Sequence, residues 1–229
     1  NLSSTTMGVI SSYNYLGYLL GSIIPIIFKL NNFRNVILFS SIMSVITICL
    51  MGFTTNVTIF IMLRFLCGLT SALGFVFTIS FMFNEFKDSK NNSLQLIHFS
   101  GIGLGIVLGT LTVWMISAAG YQWNHQWILM GLLGLFFCIP IMLCISKKKD
   151  SSKKIENEIK SEFKYNFITI SFGYFFFGIG YIIFGTFISA IVKNASEVYF
   201  YQYLSWMVVG IFAIPSVIFW DEISKKISR

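Results

Sequence analysis

Long apolar runs separated by short polar segments make up most of the chain. A helix that crosses a bilayer needs about 20 mostly apolar residues, so runs of that length with few charges are typical of membrane spans. The runs cover about residues 7–28, 35–53, 57–84, 93–118, 126–146, 166–191 and 199–220. This pattern predicts an all-α, polytopic membrane helix bundle with seven spans.

One segment, from Lys147 to Lys164, interrupts the apolar pattern with seven lysines and four acidic residues. Such a segment is excluded from hydrocarbon and has too few apolar residues to build a core. We therefore predict a solvated linker over 147–165, which divides the spans of residues 1–146 from those of residues 166–229. A charged surface helix of a soluble protein is the alternative, but it would need a polar face that the flanking segments lack.

Composition supports a membrane protein, since 55% of the residues are hydrophobic and only 11% are charged. The formal charge of +7 would suggest nucleic acid as the partner of a soluble protein. Here the basic residues cluster between spans, so we expect membrane lipid around the chain and no nucleic-acid partner. The cysteines lie inside spans at no metal-ligand spacing, and we expect neither a metal nor a cofactor. They are Cys49, Cys67, Cys138 and Cys144.

The basic residues also predict an orientation. Under this assignment, fourteen of the sixteen lysines and arginines lie on one side of the membrane. The exceptions are Lys193, on the opposite side, and Arg64, within a span. By the positive-inside rule the N-terminus is outside, while the linker and the C-terminus are cytoplasmic in a multi-pass protein of the bacterial inner membrane. Because an apolar span begins within a few residues of Asn1, we expect the chain to be part of a longer protein.

Two ionisable side chains inside spans are candidates for function. Arg64 in the third span is costly in a bilayer unless it faces a wet cavity or a partner. Its structural alternative is an arginine that hydrogen-bonds carbonyls or extends toward the interface. His98 in the fourth span has an ordinary pKa near physiological pH and is a candidate for the proton or substrate pathway, or else only a satisfied hydrogen-bonding group. Asn14 adds a polar group in the outer half of the first span.

Glycines recur four residues apart in two of the spans. Gly17 and Gly21 share a face of the first span, and the fourth span carries the longer series Gly101, Gly105 and Gly109. This spacing favours the close approach of another helix, including one that slides. The sixth span mixes glycines with Tyr181 and Thr186, which indicates either a polar cavity wall or ordinary helix packing and lipid contact.

A short repeat links the first and last spans. The first span contains Tyr15, Leu16, Tyr18, Gly21 and Pro25, and the last span contains Tyr203, Leu204, Trp206, Gly210 and Pro215. The offset of 188 residues at Tyr203 rises to 190 at Pro215, taken from the residue numbers. A fold of two parallel six-helix halves would give this spacing.

The order of the motifs NYLGYLLGS, RFLCGLTSALG, HFSGIGLGI and YFFFGIGYIIFGTFISAI resembles the bacterial YbfB/YjiJ-type members of the major facilitator superfamily. The similarity covers nearly the whole chain outside the linker, and the glycine-rich fourth and sixth spans are its specific part. It implies a twelve-helix secondary transporter with alternating access, of which this chain holds about helices two to eight. It also implies that Arg64 takes the place of the superfamily's helix-four arginine, and that the helix of Gly101 lies between the two halves.

Two motifs depart from that superfamily's pattern. The loop between helices two and three usually carries an acidic residue among glycines and arginines, whereas FKLNNFRN keeps only Lys29 and Arg34. The segment GIGLGIVLG lacks the proline usual in the helix-five motif of antiporters. The direction of transport, import or efflux, therefore stays open.

Three functions compete. The first is a proton-linked transporter of a small organic solute, with Arg64 and His98 in the cavity of the first half and Tyr181, Thr186 and Trp206 contributed by the second. The second is a seven-helix receptor or sensor, which matches the span count but not the repeat. The third is a membrane enzyme, which the absence of Asp and Glu from the interior of the spans argues against. We therefore predict a transporter and no enzyme.

Overall fold

The computed structural model describes residues 3–28, 32–85, 93–145, 164–195, 197–198 and 200–227. The described part is built of helices. They are α1 (Ser4–Ile27), α2 (Phe33–Met51), α3 (Val57–Glu85), α4 (Ser93–Ala118), α5 (Trp123–Cys144), α6 (Lys164–Ala195) and α7 (Tyr201–Ile227). All seven contain a stretch long and apolar enough to cross a membrane, so the predicted polytopic helix bundle is confirmed.

Polar side chains explain why two helices extend beyond the predicted apolar runs. At the start of α1 the Ser3 hydroxyl accepts a hydrogen bond from the backbone N–H of Thr6 at 3.1 Å, which caps the helix. At the other end of the chain, α7 continues past the last apolar residues to Ile227. There Lys225 pairs with Asp221 and Glu222, one helical turn before it.

The chain forms two compact units, the first made of Asn1–Asp150 with Trp206–Arg229 and the second of Ser151–Ser205. The sequence instead predicts a division at the charged linker, with 166–229 opening a second half, and that division stays a prediction. The linker itself, 147–165, lies outside the described residues except for its last two.

In the first unit α3 is the central helix, because it packs against both α1 and α2, and α2 in turn packs against α5. The buried core lies between α2 and α3, where Ile37, Leu73 and Phe77 are less than one-tenth exposed. The rings of Phe33 and Phe77 meet edge to face there, with their centroids 5.6 Å apart. This packing fixes the helices that carry the candidate site.

In the second unit α6 has its large aromatic side chains on the surface. Tyr174, Phe175 and Phe176 are each at least 60% exposed. Exposed aromatic and aliphatic side chains of this kind suit contact with lipid or with other spans.

Candidate functional site

Helices α1 and α3 cross with their backbones in contact. A Cβ atom built on Gly17 or Gly21 would overlap the backbone carbonyls of Phe65 and Leu69 on α3. The reverse holds at Gly68 of α3, where a Cβ would overlap the carbonyl of Asn14. Glycines on both helices thus permit this close approach of the two backbones.

Arg64 lies beside this crossing. It is seven residues into α3, which puts it about 10 Å along the axis from the start of the helix. Its Nη1 donates a hydrogen bond to Oδ1 of Asn14 at 3.5 Å. The structure therefore brings together two residues that the sequence singles out on separate spans.

Two aromatic rings lie beside the guanidinium of Arg64. The guanidinium carbon lies 4.5 Å from the ring centroid of Trp127 and 5.9 Å from that of Phe60. The two rings meet edge to face, with centroids 5.6 Å apart. A cation over the face of an indole is attracted by the negative face of the ring, which offsets part of the loss of water around the charge. Together Arg64, Asn14, Trp127 and Phe60 form what we call the arginine site.

Trp127 reaches Arg64 because α5 packs closely on the end of α2. A Cβ on Gly52 would lie 2.5 Å from the side chain of Ile128 and 2.7 Å from the carbonyl oxygen of Asn124. One turn further along α5, a Cβ on Gly131 would overlap Cys49 of α2. These two glycines set the first turns of α5 next to α2, and so set the position of the indole.

One donor of Arg64 lacks a partner. Its Nε is shielded from solvent and has no hydrogen-bond acceptor among the described residues. Arg34, the other arginine in the described part, differs, because its Nε donates to the carbonyl oxygen of Ile145 at 3.1 Å. Buried donors without an acceptor are rare in native proteins, so Arg64 is the arginine whose bonding is left incomplete.

His98 lies near the start of α4, a helix that carries none of the residues of the arginine site. It is five residues into α4, about 8 Å from the start of that helix, and its ring meets that of Phe99 edge to face at 5.5 Å. The sequence suggests a site near mid-membrane, whereas the helix bounds put His98 closer to the end of α4 that the basic residues predict to be cytoplasmic. Its role in a proton or substrate pathway stays a prediction.

The contact between α4 and α7 is made by a glycine outside the predicted series. A Cβ on Gly103 would lie 2.7 Å from the carbonyl oxygen of Gly210 and 2.8 Å from the side chain of Ile214. Nearby the hydroxyl of Ser100 donates to the carbonyl of Ile214 at 3.0 Å. By contrast, Gly101 and Gly105 have nothing within 4 Å of a built Cβ.

Gly109, the last glycine of the predicted series, faces α5. A Cβ on Gly109 would lie 3.3 Å from the methyl group of Met130. The three glycines of the predicted series therefore do not share one described contact. A helix-packing or rocking role for Gly101 and Gly105 stays a prediction that concerns an open face.

The residues predicted to come from the second half lie in both units. In the second unit Tyr181 is 50% exposed and stacks on Phe177, while the hydroxyl of Thr186 donates to the carbonyl of Ile182 within α6. Trp206 opens the α7 segment of the first unit and is half-buried. Their part in a solute pathway stays a prediction.

Sequence reasoning did not single out Trp127, Phe60 or Gly68 as site residues, and it marked Gly103 only as thinning the opposite side of the fourth span. Trp127 lies at the fifth position of α5, where the sequence predicts a residue of the interfacial aromatic belt. That position gives no sign of the contact with Arg64 on another helix. Gly68 follows Arg64 by four residues, and that spacing is the one signal that could have placed it beside Asn14.

Membrane-crossing helices that hold a charged side chain between them are typical of membrane transport proteins. A family profile described as "Uncharacterised MFS-type transporter YbfB" matches residues 1–228, and the chain belongs to this family of the major facilitator superfamily. No curated protein and no solved structure matches the chain.

The family confirms the YbfB-type resemblance and the expectation of a transporter over an enzyme. It also favours the transporter over the receptor. The chain is an integral, multi-pass membrane protein, as its seven apolar helices show.

Proposed function

We propose that the protein is a secondary active transporter that moves a small organic solute across the bacterial inner membrane by alternating access, coupled to protons. The family supports transport in general, and the arginine site supports a solute-binding role for this chain. The carrying observation is the half-buried charge of Arg64, which donates a hydrogen bond to Asn14 on another span. Charged side chains inside spans are costly, and they commonly mark substrate or ion pathways.

Alternating access needs contacts between helices that can change. The α4 and α7 contact through Gly103 and Gly210 has few side-chain atoms between the two backbones, so the two surfaces are smooth there. We propose that residues 1–146 and 166–229 belong to two halves that rock against each other near this contact, joined by a cytoplasmic linker over 147–165.

Proton coupling requires a group that changes protonation between states. His98 is the candidate within the spans, because an imidazole titrates near physiological pH and the acidic residues lie at helix ends or in polar segments. Its position near the predicted cytoplasmic end of α4 suits exchange of a proton with that side. In this proposal Arg64 holds the solute and His98 carries the proton.

The test uses purified protein in vesicles that enclose a pH indicator. Each member of a panel of carboxylates, amides, amines and sugars is applied as a gradient, and proton movement is recorded. We expect at least one solute to drive proton movement, which Arg64→Gln abolishes and protein-free vesicles do not show. Solute movement that continues unchanged when no proton moves would contradict the coupling, and a panel in which no solute moves would contradict transport of small organic solutes.

A further inference from the structure

A single serine hydroxyl has two acceptors where α4 meets α7. Ser100 is 9% exposed, and its Oγ lies 3.0 Å from the carbonyl oxygen of Ile214 on α7. The same Oγ lies 3.0 Å from the carbonyl oxygen of Leu96, one turn earlier on its own helix. A hydroxyl has one hydrogen to donate, so Ser100 donates to one of these carbonyls at a time. Two helices therefore compete at equal distance for the same hydrogen.

This competition lowers the cost of separating α4 from α7. A buried donor that loses its acceptor is costly, and that cost normally keeps a buried hydrogen bond closed. If α7 moves away, the hydroxyl of Ser100 rotates to Leu96 and stays bonded. The carbonyl of Ile214 also keeps its helical partner, because an α-helix pairs it with the N–H four residues later. The contact thus opens without leaving a buried polar group unpaired.

The backbone of α7 is weakened at the same place. Pro215 follows the acceptor residue directly and has no N–H to give to the carbonyl of Ile211, one turn earlier in the helix. Close by, Gly103 and Gly210 bring the backbones of α4 and α7 together without side chains between them. Prolines and close glycine contacts are places where helices bend or shift against each other.

From the two equal acceptors we propose that Ser100 is a latch, which holds α4 on α7 through Ile214 and releases it by turning to Leu96. The latch sets the ratio of the packed arrangement, the one in this structure, to a parted arrangement in which the two helices separate. The proposal rests on the proposed alternating-access function, because it names a bond that regulates the change of state. Loss of one such hydrogen bond should change the ratio by about two- to tenfold.

The test measures the distance between the two helices directly. Nitroxide labels are attached to Ile97→Cys on α4 and to Ser224→Cys on α7, both at exposed positions in the first unit. The four native cysteines are first replaced by alanine. Double electron–electron resonance on purified protein in lipid nanodiscs then records the distribution of distances between the labels.

We expect a short and a long distance in the labelled protein, and a shift of at least about twofold toward the long one in Ser100→Ala. Ser100→Thr keeps the hydroxyl and should keep the ratio. Ser44→Ala is the matched control, since Ser44 joins α2 to α3 through Thr70 at 2.8 Å, and it should leave the distance between α4 and α7 unchanged.

Three results would overturn the latch. The first is a single distance in every protein, which would mean that the contact does not open. The second is a ratio that Ser100→Ala leaves unchanged. The third is an equal shift in Ser100→Ala and in either Ser100→Thr or Ser44→Ala, because the hydroxyl of Ser100 would then not be the cause.

A second measurement keeps the native cysteines, in case the labelled protein does not fold. Hydrogen exchange of backbone amides is followed by mass spectrometry in the otherwise unchanged chain. Ser100→Ala should raise the exchange rate of α7 amides over 210–218 at least about twofold and leave α2 amides over 40–47 unchanged, whereas Ser44→Ala should do the reverse. Equal exchange over 210–218 in Ser100→Ala and the wild type would contradict the latch.

The latch and the transport function fail in distinguishable ways. A shifted distance ratio in Ser100→Ala, with no solute flux in vesicles, would support the latch and contradict the transport function. Solute flux in vesicles, with a distance ratio that Ser100→Ala leaves unchanged, would support the function and overturn the latch.

Discussion

Gly103 and Gly210 exclude each other's side chains where α4 meets α7. A Cβ on Gly103 would lie 2.7 Å from the carbonyl oxygen of Gly210, and a Cβ on Gly210 would lie 2.9 Å from the carbonyl oxygen of Gly103. Both distances are shorter than real side-chain contacts. The approach of the two helices therefore depends on the absence of a side chain at both positions, one on each helix.

This contact predicts different effects of the same substitution at Gly103 and at Gly105 of α4. Gly103→Val should destabilise the packed protein by about 1–3 kcal/mol, because the added atoms meet backbone that cannot give way. Gly105→Val adds the same atoms in open space and should leave the melting temperature in detergent unchanged. Equal losses of stability would contradict the described contact.

The same pair of variants tests the predicted rocking face. If Gly105→Val melts like the wild type yet transports at least about tenfold more slowly, the open face meets another helix in a different state of the transport cycle. Normal transport by Gly105→Val, with protein levels matched, would restrict the role of that face to contact with lipid.

The indole of Trp127 should stabilise Arg64 measurably. In a double-mutant cycle of Trp127→Leu and Arg64→Gln, we expect a coupling free energy of about 0.5–2 kcal/mol, in the range of cation–π contacts. Thermal or denaturant unfolding of the four proteins measures it. Trp123, one turn earlier on α5 and 47% exposed, supplies the matched control through Trp123→Leu, for which the coupling should be near zero. Similar coupling at both tryptophans would refute the specific contact.

Transport should depend on Arg64 beyond its part in stability. Arg64→Lys retains a cation for Asn14 and Trp127 and should keep most of the fold, but it should raise the half-saturating solute concentration at least about tenfold. Arg64→Ala should abolish transport. Rates are compared at matched expression, with Arg34→Lys as a control that keeps near-normal transport. Wild-type rates from Arg64→Ala would remove Arg64 from the solute pathway.

His98→Gln tests the proton part of the mechanism. Glutamine keeps a hydrogen-bonding side chain but does not titrate, so we expect loss of solute accumulation against a gradient, while exchange of solute at equal concentrations persists. His125→Gln, on the exposed outer turn of α5, serves as the control and should accumulate solute normally. If His98→Gln weakens the apparent affinity for the solute but leaves the pH dependence of uptake intact, the proton follows another route.

The orientation of the chain has a direct chemical test. A cysteine at Ser152, in the predicted linker, should not react with a membrane-impermeant thiol reagent in intact cells, and should react after the cells are opened. A cysteine at Gln122, in the exposed turn before α5, should react in intact cells. The reverse pattern would invert the topology.

The sequence predicts the helices well, since the cost of exposing backbone polar groups to lipid makes each apolar run helical over its length. The helix ends are less predictable. The Ser3 cap and the charged pairs around Lys225 lengthen α1 and α7 through local hydrogen bonds and ion pairs that an apolar window does not register.

The arginine site is predicted only in part. Arg64 and Asn14 stand out because polar groups in apolar spans are rare, and that signal is local. The contact of Arg64 with Trp127 joins residues far apart in the sequence, and it depends on how α5 meets α2 at Gly52. Likewise, the sequence does not indicate that Gly103, and not Gly101 or Gly105, contacts α7. The rotation of a helix about its axis decides which glycine makes the contact, and that rotation is set by the neighbouring helices.

The interlocked glycines of α1 and α3 also limit how a carrier of this design can move. Gly17 and Gly21 receive the backbone of α3 while Gly68 receives that of α1, so a shift of either helix by one residue would drive a side chain into the facing main chain. We therefore expect α1 and α3 to move as one rigid unit, which carries both Asn14 and Arg64. In the proposed alternating-access cycle, the positive charge would therefore keep its geometry, while the other helices move past α1 and α3 to open and close access to it.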